Sequence, residues 1–188
     1  MHMRAKTVII GSAVLTFLFA GCDRDKAPTV QKKPQQNEAT ADATPTTWRY
    51  SEQQDEMGRG SGRKAVLTSL NTVTFGFPYG NSHMLLRLEE NPTQGKHVVL
   101  AIENGQFLLA RYQSAITVKF DDGSLQTFQV LPSGDSRSNV VAIDVDYDEF
   151  VAQLKAAKIM KIEAGFFQEG SRVFTFDVQG LNWNGLRR

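Results

Sequence analysis

One cysteine, Cys22, occurs in 188 residues, beside three histidines and six prolines. A lone thiol closes no disulfide within the chain, so no cysteine framework holds this fold. Beyond the first residues only His83 and His97 remain as imidazoles, and a zinc site would need them together with carboxylates. Excess charge of either sign is missing too. There are 21 basic and 20 acidic residues, a formal balance of +1, and no electrostatic case for nucleic acid. No repeat of solenoid period is present. The longest apolar run, Val8 to Ala20, falls short of the ~20 residues that span a bilayer.

That run nevertheless has an organisation. Arg4 and Lys6 form a basic start, Val8–Ala20 an apolar stretch, and Ala20-Gly21 a small-residue approach to Cys22, after which charge begins at Asp23. This is the layout of a bacterial secretory signal, residues 1–21; the alternative is an uncleaved anchor helix. Phe19-Ala20-Gly21-Cys22 resembles the bacterial lipoprotein lipobox, with Phe19 in the place of the usual Leu. The resemblance implies that the Cys22 thiol is acylated, that the signal is cut before it, and that the bilayer is a partner through lipid. Asp23 resembles the aspartate that retains lipoproteins in the inner membrane, which favours inner over outer membrane. The expected location is therefore the cell envelope, lipid-anchored and facing the periplasm.

Residues 22–47 form the lipidated cysteine and a tether. They are rich in Pro, Gln, Thr and Ala and carry too little apolar surface to offset their ordering entropy. The tether's expected reach is roughly 25–30 Å. Composition changes at Trp48, and residues 48–188 are long enough for one domain with a full core. Arg4 and Lys6 leave with the signal, so 19 basic residues face 20 acidic ones in the mature chain.

The domain's dominant period is two. Ile116–Phe120 alternates apolar and polar residues, Asp122-Gly123 can turn the chain, and Ser124–Val130 runs back. Asn104-Gly105 between "HVVLAI" and "QFLLARY", and Glu169-Gly170 between "MKIEAGFF" and "RVFTFDV", predict two more hairpins. Further strands are expected at Lys64–Leu70, Thr72–Phe77 and His83–Glu89. "HVVLAI" lacks alternation, so both of its faces should be covered. One helix interrupts the strands. Asp146 stands as N-cap with Glu149 three residues on, and Phe150, Val151, Leu154 and Ala157 then fall on one stripe. The expected fold is mainly β: an antiparallel β-sandwich or open barrel with one α-helix before the last hairpin.

"VKFDDGSLQTFQV", "DEFVAQLKAAK" and "KIEAGFFQEGSRVFTFDVQGL", with Trp48 opening the domain, resemble the C-terminal layout of periplasmic domains. Type VI secretion accessory proteins are among their carriers. The resemblance implies a β-rich periplasmic domain and not a secretion role.

Motifs of chemistry are few. Ser61-Gly62-Arg63-Lys64 matches S-x-x-K, but the Ser-Asp-Asn and Lys-Thr-Gly elements that such enzymes need are missing. Its glycines do not make a P-loop. Asp144, Asp146 and Asp148 alternate as calcium ligands do, but an EF-hand would need Gly and Glu where Glu149 and Lys155 stand, so a helix cap is the simpler reading. In Phe75-Gly76-Phe77-Pro78-Tyr79-Gly80, Phe75 and Phe77 are expected in the core. Tyr79 is the ring most exposed for a partner, with Trp183 as the second candidate. No cofactor is called for. Two functions remain: a non-enzymatic interaction module (accessory, inhibitor or exclusion protein) that binds an envelope protein or glycan, or an envelope-modifying enzyme that uses carboxylates such as Asp121, Asp122 and Asp177.

Overall fold

The computed structural model describes residues 47–109, 114–133 and 138–183. The signal, Cys22 and the tether up to residue 46 lie outside these, as do positions 110–112 of the expected strand "QFLLARY". The elements in chain order are β1 (Arg49–Gln54), β2 (Ser61–Thr68), β3 (Val73–Phe75), β4 (Gly80–Ser82), β5 (Met84–Asn91), β6 (Gly95–Ile102), β7 (Ala115–Phe120), β8 (Gln126–Pro132), β9 (Val140–Ile143), α1 (Tyr147–Ala156), β10 (Ile159–Phe166) and β11 (Gly170–Asp177). Among the described residues, no helix is long and apolar enough to cross a membrane.

Every pairing is antiparallel. Nine strands run in the order β1-β2-β5-β6-β9-β8-β7-β10-β11, and β3 with β4 forms a separate hairpin. The sheet folds on itself at β8. Gln126–Gln129 pair with β7, whereas Val130–Pro132 pair with β9, so one strand serves both halves of a sandwich. On the opposite side the ladder stays open, and the extension of β2 bridges the gap. Leu70 N donates to Thr175 O at 2.7 Å. The Asn71 side chain donates to Val173 O at 3.0 Å and accepts from Thr175 N at 2.7 Å. The result is an antiparallel β-sandwich with one helix before the last hairpin, as the sequence predicts.

Period-two burial builds the core. Ala65 and Leu67 of β2, Met84, Leu86 and Leu88 of β5, Met160, Ile162, Ala164 and Phe166 of β10, and Phe174 and Phe176 of β11 all turn inward. In β6 the alternation fails because Val98 to Ile102 are all buried. Val99 and Ala101 form a second apolar cluster on the other face with Val140 and Leu85. Helix α1 closes one end of the sandwich. Asp146 caps it by accepting from Glu149 N at 2.9 Å, and Phe150 inserts edge-on between Phe120 and Phe128, with centroids at 5.6 and 5.9 Å.

The β3–β4 hairpin covers the other end, and three expectations change there. Asn104-Gly105 does not fold a strand back on β6, whose partners are β5 and β9. Gly105 instead makes room for a ring. Its φ is +113°, and a Cβ there would lie 2.9 Å from Phe75 Cε2. Phe75 is buried as expected and packs tilted against Phe166, on which Phe107 stacks and Phe174 abuts edge-on. Phe77 is not in the core: it is fully exposed at the hairpin's tip, while Tyr79 is half-buried against the core. Strands β1, β4 and β9 lie outside the sequence expectations. β1 is exposed at all six residues and so has no apolar alternation to read.

Candidate functional site

The inward faces of β2 and β5 change from apolar to charged near the helix end. The rung that follows Leu88 and Ala65 reads Glu52, Arg63, Glu90 and Lys96 across β1, β2, β5 and β6. Signs alternate along it. Glu90 is 2% exposed, and its Oε2 lies 3.2 Å from Arg63 Nη2. The first residue of α1, Tyr147, is hydrogen-bonded to Glu90 and accepts from Trp183 Nε1 at 2.8 Å. The loop of contacts returns to its start because the Arg63 guanidinium lies over the Trp183 ring, 4.7 Å from its centroid. Burial pushes the Tyr147 phenol well above the usual tyrosine range, and the facing Glu90 carboxylate adds to it. Lys96 completes the layer, 2.6 Å from Asp148 Oδ1 and 5.3 Å above the Tyr147 ring.

Two clefts meet at Glu90. The smaller, about 190 Å³, lies between α1 and Trp183 and is walled by Tyr147, Asp148, Val151 and Lys155. The larger is a polar basin of about 480 Å³ along β1, β2 and β5, bounded by the β1–β2 loop and the β5–β6 turn. Four amides line it, Gln53, Gln54, Asn91 and Gln94, together with Ser51, the His97 imidazole and seven charged side chains. Its charges are largely matched in pairs: Arg59 with Asp55 at 2.8 Å, Lys64 with Glu89 at 3.3 Å, and Arg63 with Glu90. The Arg59 guanidinium holds the Asp55 carboxyl below the usual carboxylate range, so that group stays ionised rather than trading protons near neutrality. Gly62 keeps the floor low, since a Cβ there would press to 3.3 Å from Asn91 Nδ2.

The residues singled out from sequence are dispersed. Trp183 is not a surface ring: at 4% exposure it is an inner strut of the Arg63–Glu90–Tyr147 layer and a wall of the smaller cleft. Tyr79 sits at the other end of the sandwich, where Phe77 is the exposed ring. Cys22 lies outside the described residues. Asp121 accepts from Lys158 N and Ile159 N, and Asp177 from Gln179 N, so both serve the backbone where chain segments turn. Asp122 is exposed on the β7–β8 turn. In the acidic run, Asp146 caps the helix and Asp148 holds Lys96. Ser61 and Lys64 stand three apart on β2 and so point to opposite faces. The two histidines that a zinc site would need together are separated by the length of the β5–β6 hairpin: Glu89 pairs with His97 at one end and Met84 with Ile102 at the other. His97 contacts Gln94 O, and His83 contacts Ser69 O.

Sequence reasoning missed Glu90 and Arg63. The signal was present: Met84, Leu86, Leu88 and then Glu90 continue one period-two face, as do Leu67, Ala65 and Arg63. No protein-family model matches the chain, and neither does any curated protein or solved structure.

Proposed function

We propose that this chain is a periplasm-facing envelope lipoprotein, acylated at Cys22, whose β-sandwich is a non-enzymatic interaction module that receives an envelope partner in the polar basin. One observation supports it above others: the basin is concave and carries four amides, and six of its seven charged side chains are tied into pairs within the domain. Such a surface offers oriented hydrogen bonds and neutralised charge, the chemistry of recognition. A hydrolytic site would hold a carboxyl or imidazole aimed at a substrate, whereas the His97 imidazole of the basin is tied to Gln94 O at 2.7 Å. The tether and the lipid would hold the module at the membrane while leaving it free to reach outward.

The test has two arms. Cys22→Ser should abolish incorporation of labelled palmitate and leave unprocessed precursor; continued labelling sinks the anchor. Full-length protein in detergent should retain one stoichiometric envelope partner that Gln53→Arg with Gln94→Arg releases. Turnover of a cell-wall substrate by the purified chain, lost on substituting a basin carboxylate, would replace the module with an enzyme.

A further inference from the structure

We infer that the ligand of the basin is an extended peptide, taken up as an added strand along the edge of β1 that no described strand pairs with; this rests on the module reading above. Hydrogen-bond parity carries the inference. Asp55 N donates to Gly60 O at 2.8 Å, one rung beyond the Gln54–Ser61 pair. In an antiparallel ladder, backbone groups on alternate residues face the same neighbour. Arg49, Ser51 and Gln53 therefore point their N–H and C=O at β2, while Tyr50, Glu52 and Gln54 point theirs outward. Among the described residues, β1 pairs with β2 alone, and all six of its residues are exposed.

The other terminal strand is treated differently. β11 has its edge covered by Leu70 and Asn71 through three hydrogen bonds to Val173 and Thr175. β1 has no proline, no lysine and no break in register across six pairs, and Arg49 and Glu52 are its two charges. An open, regular edge beside a pocket is the arrangement of strand addition, in which main-chain bonds supply affinity and pockets select alternate side chains. The basin supplies the pockets, since Ser51, Gln53 and Gln54 of β1 form its wall. Its charges nearly cancel, four acidic against three basic, which gives little pull on a strongly acidic or basic motif, and its amides match short polar side chains. The peptide that fits carries Ser, Thr, Asn or Gln at alternate positions.

The probe is a random peptide library displayed on phage and panned against the full-length protein in detergent. Selected peptides should carry polar residues at period two. Methylating their backbone nitrogens one at a time should weaken binding to the parent protein about tenfold at alternate positions and little between them. Glu52→Pro removes an outward N–H without removing a β1–β2 hydrogen bond, so it should reduce affinity at least about tenfold relative to Glu52→Ala, which loses the same carboxylate but keeps the N–H, with the two variants melting at the same temperature. Binding without period-two sensitivity, or full binding to Glu52→Pro, overturns the inference. So does a library that yields no binder. A glycan held in the basin with no peptide bound overturns strand addition and leaves the module standing, whereas substrate turnover removes the module itself.

Discussion

The two ends of the sandwich meet the same demand with different chemistry. Each must cover a core that the sheet leaves open. At the hairpin end the cover is aromatic: Phe75, Phe107 and Phe174 gather around Phe166, with centroids 4.9 to 5.9 Å away. At the helix end, Phe150 does the apolar work, and a layer of Arg63, Glu90, Tyr147 and Trp183 lies beside it. The hairpin end is held by contacts that tolerate any polar surrounding. The helix end is held by groups that stabilise only as a complete set, because each buried polar member needs its partner. The teaching is that the charged layer, not the aromatic one, makes the adjoining surface specific, and the basin lies on that side.

The largest loss should come from the aromatic end. Phe166→Ala removes the ring that three others contact and should cost about 3–5 kcal/mol in denaturant unfolding. If Phe150→Ala costs a similar amount and the double variant is additive, the two ends are independent caps. Strong non-additivity would show one shared core state instead of two separate covers.

Breaking the charged layer should cost somewhat less. Glu90→Leu strands the Arg63 charge, and Arg63 is partly exposed, so a loss of roughly 2–4 kcal/mol is expected rather than the full cost of a sealed ion pair. Adding Arg63→Met should recover most of it. The layer also has a pH signature. Tyr147 is raised in the folded state, so its contribution is complete below the ordinary tyrosine value of about 10 and is lost as pH rises from there toward the folded value. Tyr147→Phe should flatten that alkaline decline. An unchanged alkaline limb would mean that the phenol is not buried in solution.

Next in size is a contact between ring and backbone. Gly105→Ala combines a positive φ with a Cβ only 2.9 Å from the Phe75 ring and should cost about 1–3 kcal/mol. Phe75→Leu should relieve part of that cost. At the helix end, Asp146→Ala removes the cap on Glu149 N and should cost about 1 kcal/mol, equally with and without EDTA. A melting temperature that rises with millimolar calcium, and does so only with Asp144 and Asp148 intact, would turn this cap into a cation site.

What the sequence made legible follows the same division. Hairpins with local turn chemistry could be read: Asp122-Gly123 joins β7 to β8, and Glu169-Gly170 joins β10 to β11. The helix could be read from its cap and stripe. Gly105 was misread because a glycine that makes space for a distant ring has the same local look as one that turns the chain. β1 was invisible because an edge strand exposed on both faces carries no apolar period, and the basin it borders is polar for the same reason. The Glu90 layer was half-legible. Its position was fixed by period two, but its partners Tyr147 and Trp183 come from 57 and 93 residues further along the chain, and only the fold brings them there.

The smallest expected effect is the one that most sharply separates inside from outside at the hairpin end. Phe75 and Phe77 lie two apart on either side of Gly76, whose N–H donates to Glu169 Oε1 at 2.7 Å. That bond fixes the tip while one ring goes inward and the other outward. Phe77 touches no core residue, so Phe77→Ser should change unfolding stability by no more than about 0.5 kcal/mol. Phe75→Ser should destabilise severely, because it leaves a cavity against Phe166. Phe167 and Leu108 are also exposed near this end, and removing Phe77 should lower non-specific association at high concentration, read by light scattering. A loss above about 1 kcal/mol for Phe77→Ser would mean that the ring packs against the protein in solution. The hairpin would then be a deeper part of the cover than its exposed tip suggests.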